Sequence, residues 1–159
     1  MNDTADAQTS TDGRQSDRAL VTRRGVSRYL SQNGEVCLFE LTLVNGRRAD
    51  ILSIAPDGGI TIIEVKSSLA DLQADHKWNE YLEFCDRFSF ATLPDVPLEP
   101  FPSTEGLMVA DAFGAHPIRE PIHRPLHASR RKAITLRVSR QAIGRLQRME
   151  DPNFAIPDV

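Results

Sequence analysis

Asp50, Glu64 and Lys66 are the residues of this chain whose types and spacing point most directly to chemistry. Asp50 follows the Asn45-Gly46 turn, and Pro56-Asp57-Gly58-Gly59 makes the next reversal before the run Ile-Thr-Ile-Ile-Glu-Val-Lys that ends at Lys66. These are hairpin signals, so adjacent strands deliver the two acids. Side chains alternate along a strand, so Glu64 and Lys66 project together while Ile63 and Val65 point the other way. Two hard oxygen ligands from neighbouring strands suit Mg²⁺, which keeps several of its waters. Lys66 then orients or deprotonates one of those waters, which is divalent-metal chemistry on phosphate. The rival reading is a salt bridge between strand ends, but three ionisable groups beside a run of apolar residues favour a site.

The elements that must carry this trio read from the same local signals. Val26, Tyr29 and Leu30 recur at helical spacing within residues 19–32, and Asn33-Gly34 supplies the stop. Strands follow at 35–44, 48–55 and 60–66. Ser68 is a helix cap with Asp71 three residues on, opening a helix from 68 to about 85 with Trp78, Tyr81, Leu82 and Cys85 as its apolar stripe. A strand at 87–92, a proline-rich loop at 94–103 and a short buried strand at 106–110 come next. The stretch after it, with His116, His123, His127 and three prolines, reads as irregular, and its histidines as scattered rather than a zinc set. A last helix from about 129 to 149 places Ile134, Val138, Ala142, Leu146 and Met149 on one side and Arg130, Arg137, Arg140 and Arg148 on the other. The fold class is α/β, a mixed sheet with helices packed on it.

With 159 residues and 40% hydrophobic content, the chain suits one domain over 19–150. Residues 1–18 read as a disordered acidic tail and 151–159 as a C-terminal tail. No apolar run approaches the roughly 18 residues of a membrane span, so no membrane partner and a cytoplasmic location are expected. Two cysteines, Cys37 and Cys85, fit buried free thiols.

A formal net charge of -3 conceals an uneven distribution: residues 119–148 carry nine arginines and lysines against Glu120 alone. Such a field steers polyanions. Arg47 and Arg48 flank the Asp50 strand where they straddle a phosphate backbone or merely solubilise a hairpin; Lys77 reaches a phosphate; Trp78 and Tyr81 are core groups or base-stacking platforms; Arg137 and Arg140 form a basic or simply solvated helix face. Asp71 completes a capping box, and Asp75 reads as solvated. Glu40 is either an inward carboxylate needing a partner or an exposed one paired with Arg48.

An acid, a gap of about a dozen residues, then Glu-x-Lys at a strand end before a helix resembles the PD-(D/E)XK nuclease superfamily. The longer string Gly46-Arg47-Arg48-Ala49-Asp50, Glu64-Val65-Lys66-Ser67-Ser68, Asp75-x-Lys77-Trp78-x-x-Tyr81, Cys85-Asp86-Arg87-Phe88 and Gly106-Leu107 with Ala110-Asp111 looks like the MmcB-type DNA repair endonucleases. The resemblance implies a PD-(D/E)XK nuclease-like mixed β-sheet flanked by α-helices. It also implies a metal-dependent DNA endonuclease of repair using Mg²⁺ or Mn²⁺, with DNA and possibly repair proteins as partners. Asp50 and Glu64 would be metal ligands, the carbonyl of Val65 a further ligand and Lys66 the catalytic lysine. Ala49 stands where the signature has proline. The acid such nucleases often carry on the first helix is missing between residues 19 and 30, and Glu40 is the substitute candidate. The alternatives are a catalytically weak or inactive module on the same fold, and a hydrolase of small phosphate esters.

Overall fold

Gly46 and Gly58 adopt φ of 81° and 83°, a left-handed conformation that side chains disfavour, and this closes both reversals read from the sequence. Between them they fold β1 (Val36–Thr42), β2 (Arg48–Ile54) and β3 (Ile60–Lys66) into an antiparallel meander. The computed structural model describes residues 16–155, so of the tails expected at 1–18 and 151–159, residues 1–15 and 156–159 lie outside the described residues. β4 (Arg87–Thr92) and β5 (Gly106–Ala110) add to β3 in parallel, and β6 (Ala115–Arg119) returns antiparallel to β5. The result is one six-stranded mixed sheet in chain order, flanked by helices.

Helix α1 (Asp17–Gln32) begins two residues earlier than its apolar spacing predicts, because the Ser16 hydroxyl accepts a hydrogen bond from the Ala19 amide. Its Val26 and Leu30 cover one sheet face with Ile51, Ile63, Val65, Ala91, Met108 and Ala110. Gly25 permits the close approach. A Cβ there would stand 2.0 Å from the Asp111 carbonyl oxygen and 2.4 Å from that of Gly114. The opposite face packs Leu52, Ile62, Phe88 and Phe90 against Tyr81, Phe84, Phe101 and Ile134. Phe88 and Phe90 meet edge to face with ring centroids 5.1 Å apart, and Trp78 stacks on Phe88 at 5.7 Å. Both cysteines are free, Cys85 buried and Cys37 half-buried.

Three expectations are corrected. The helix expected from 68 to about 85 is two pieces, α2 (Leu69–Ala74) and a 3-10 segment (Trp78–Phe84), separated by Asp75-His76-Lys77. The stripe at 78, 81, 82 and 85 has α-helical spacing, and the fold nevertheless winds Trp78–Phe84 as a 3-10 turn. The stretch read as irregular contains β6, whose Ala-His-Pro-Ile-Arg sequence lacks a strong strand pattern and is recruited as an edge by β5.

The third correction concerns α3 (Ala128–Glu150). Ile134 is buried and Val138 packs on the core, but Leu146 and Met149 are 61% and 81% exposed. Its arginines are not simply a solvated face. Arg137 Nε donates to the Thr42 carbonyl at 2.5 Å, and Arg145 donates to those of Phe39 and Glu40 at 2.6 and 3.0 Å. These guanidinium groups cover the open edge of β1. Arg131 forms a bidentate pair at 2.6 Å with Asp86, which is 1% exposed and also accepts from the Ile60 and Leu126 amides. That network, with Arg124 clasping buried Glu105, ties the chain before α3 to the sheet.

Candidate active site

The ladder between β2 and β3 ends at Ile51 opposite Ile63, one step before Asp50 would face Glu64. Beyond that pair, side chains replace the ladder: Glu64 Oε1 accepts from the Asp50 amide at 3.1 Å and Asp50 Oδ2 from the Val65 amide at 2.8 Å. The strands part, and the gap is lined by two carboxylates. In a strand, the N–H and C=O of one residue point to the same side, so the Val65 carbonyl is directed to that gap too. The Lys66 carbonyl points to the other side, where the Thr92 hydroxyl donates to it at 2.7 Å.

Asp50, Glu64 and Lys66 share the face of Leu52 and Ile62, beneath the 3-10 segment. Glu64 and Lys66 are each 5% exposed, and Asp50 is half-buried. Lys66 Nζ lies 3.9 Å from Glu64 Oε2 but only 2.6 Å from Asp75 Oδ2. Asp75, expected to be solvated, is thus a neighbour of the site. The available signal was the polar Asp-His-Lys interruption of the apolar helix pattern. Asp71 accepts from the Ser67 amide at 2.9 Å and its own amide donates to the Ser68 hydroxyl, so it serves the helix start.

Burial, followed by the charge of Asp50, pushes the Glu64 carboxyl up to about 8. Burial also raises Asp50, against the Val65 amide and Lys66, which favour its charged form. Asp75 is lowered, burial being outweighed by its hydrogen bonds from Lys66 and the Lys77 amide. The cation of the site is therefore drawn to Asp75, leaving two crowded carboxylates short of positive charge. Asp50 Oδ1 has no hydrogen-bond donor among the described residues. All donors turned to the gap are hard oxygens, so the residues present fit a hard divalent cation. Among the described residues, no group of three or more Asp, Glu, His or Cys side chains is arranged to hold a metal, so the side-chain contribution is the pair alone.

The remaining candidates are dispersed. Glu40 sits at φ 54°, leaves the rung opposite Asp50 unpaired in a β1–β2 ladder that otherwise keeps its register, and meets Arg23 of α1 at 3.6 Å rather than the acid pair or Arg48. Arg47 is held by Glu80 at 2.6 Å. Tyr81 is 5% exposed, and its hydroxyl donates to the Arg48 carbonyl at 2.9 Å. Trp78 is half-buried in the aromatic stack. Arg137 is bonded to Thr42, whereas the Arg48, Lys77 and Arg140 side chains are exposed. No helix among the described residues is long and apolar enough to cross a membrane.

Comparisons with known proteins place this chain in a family. A solved structure described as SPO1766, a protein of unknown function from Silicibacter pomeroyi, is 37% identical and covers 91% of this chain and 100% of its own, with a TM-score of 0.85. Among curated proteins, none matches. The family model described as DNA repair protein MmcB-like matches residues 6–153. With nearly its whole length matched, the chain belongs to the MmcB-like DNA repair protein family.

Proposed function

We propose that the chain is a metal-dependent DNA endonuclease that hydrolyses phosphodiester bonds in repair. The observation that carries this reading is the Asp50–Glu64 pair at the parting of β2 and β3, with Lys66 beside it and too little positive charge between them. Asp50, Glu64 and the Val65 carbonyl would hold Mg²⁺ or Mn²⁺. Such a cation supplies Lewis-acid polarisation of a phosphate oxygen and acidification of water.

Lys66 acts as an ammonium. Burial works against its charge, but the hydrogen bond to Asp75 and the fields of Glu64 and Asp75 outweigh burial and raise its pKa above the ordinary 10.5. That charge suits Lys66 to stabilising the negative charge that develops on phosphate. Exposed Arg48 and Lys77, near the site in sequence, would meet the DNA backbone. Family membership supports the repair context.

The test is cleavage of single-stranded, duplex, nicked and branched DNA in Mg²⁺ or Mn²⁺. Lys66→Ala should lower the rate about 100- to 1,000-fold while DNA binding persists; parental cleavage by this variant refutes the reading. One observation favours a non-catalytic module instead: both carboxylates already serve backbone amides, and Glu40 is turned to Arg23. Calorimetric titration separates the two, since the module predicts no heat from millimolar Mn²⁺.

A further inference from the structure

We infer that Asp75 is the positioning residue for Lys66: the break between α2 and the 3-10 segment fixes its carboxylate so that it holds the ammonium beside Glu64 without letting it close onto Glu64. The inference rests on the nuclease reading above. The apolar pattern would allow one helix across this region, yet the chain leaves helical geometry at Asp75, with φ -91° and ψ 93°. Backbone hydrogen bonds of a continuous helix are given up there, and the return is a fixed carboxylate. The Asp75 amide donates to the Leu72 carbonyl at 3.2 Å, Oδ1 accepts from the Lys77 amide at 3.0 Å, and Oδ2 accepts from Lys66 Nζ at 2.6 Å.

This pair is sheltered. The Lys66 and Asp75 side chains are 7% and 16% exposed, so their attraction escapes most of the solvent screening that weakens surface ion pairs. Geometry also sets a competition. Among the described residues, Glu64 is the other carboxylate within ion-pairing distance of Lys66, at 3.9 Å, and loss of the Asp75 charge would let the ammonium contract onto it. The ammonium would then pair with Glu64 and leave the place from which it meets phosphate. Arg47, fixed by Glu80 on the adjoining hairpin, adds its field to Asp75 and helps keep it ionised.

The chain has three lysines, Lys66, Lys77 and Lys132, and the last two are exposed, which supplies an internal reference. Amine labelling read by mass spectrometry should show Lys66 reacting far more slowly than Lys77 and Lys132 in the parent, and several-fold faster in Asp75→Asn with the other two unchanged. In the same variant, kcat for DNA cleavage in Mn²⁺ should fall about 10- to 100-fold with KM within about twofold, and Asp75→Glu should restore most of the loss. Should Asp75→Asn fail to fold, Asp75→Ser keeps an acceptor for the Lys77 amide and takes the same measurements. A folded variant with parental kcat and parental Lys66 labelling overturns the inference. If the parent cleaves no DNA, the nuclease reading fails, and labelling alone decides whether Asp75 holds Lys66.

Discussion

Glu64→Gln tests the charge account of the site without changing its shape. The amide keeps an oxygen to accept from the Asp50 amide, but it cannot ionise. Glu64 is 5% exposed, and burial with the Asp50 charge pushes its carboxyl from 4.5 up to about 8. A carboxyl whose pKa is raised by folding favours the protonated folded state. Its stabilising contribution is complete below 4.5 and is lost as pH climbs through about 8. Between those limits the loss runs at about 1.4 kcal/mol per pH unit, for a ceiling of about 5 kcal/mol. In EDTA, the melting temperature of the parent should therefore fall between pH 5 and pH 8.5 by up to about 15 °C more than that of Glu64→Gln. Asp50 titrates in both proteins, so the difference reports Glu64 together with its repulsion with Asp50. Saturating Mn²⁺ should recover the parent at pH 8, because the cation binds the ionised carboxylate, and should leave the variant nearly unmoved. Melting curves with EDTA or Mn²⁺ across this range decide the matter. Equal pH slopes in the two proteins, or an undiminished Mn²⁺ shift in the variant, would refute the reasoning.

Asp86→Ala strands the buried Ile60 amide, the half-buried Leu126 amide and the Arg131 guanidinium, and urea denaturation should show a loss of about 3–5 kcal/mol. The Asp86 carboxyl is held well below 3.8 by Arg131 and those amides, which overcome burial, so its contribution is present above pH 3.8 and disappears only in strong acid. Gly25→Ala drives a methyl into the Asp111 and Gly114 carbonyls; a loss of roughly 3 kcal/mol is expected, and an unchanged denaturation midpoint would mean that α1 does not lie so close. On the nuclease reading, Arg48→Ala and Lys77→Ala should each lower the slope of log affinity against log salt by about 1 in fluorescence anisotropy with DNA. Arg47→Ala should leave that slope unchanged, its guanidinium being occupied by Glu80.

Strands β3, β4 and β5 were legible to the residue, because β3 and β5 are apolar runs and β4 alternates Phe-Ser-Phe, and those are properties of neighbours in the chain. The two hairpin reversals were legible for the same reason, and with them the adjacency of Asp50 and Glu64. What the sequence could not convey is where long polar side chains end. The arginines of α3 look alike on a helical wheel, yet Arg137 and Arg145 close the edge of β1 while Arg140 stays exposed. Glu40 would have alternated toward Asp50 had its backbone not turned left-handed. Asp75 read as solvated because its partner is nine residues away on another element. Local periodicity thus determined the strands and the approach of the acids on this chain. The helix break, the edge strand β6 and the partner of Lys66 were decided by tertiary packing, since a charge takes its partner from whatever the fold brings within about 3 Å, and that distance is not written in the spacing of residues.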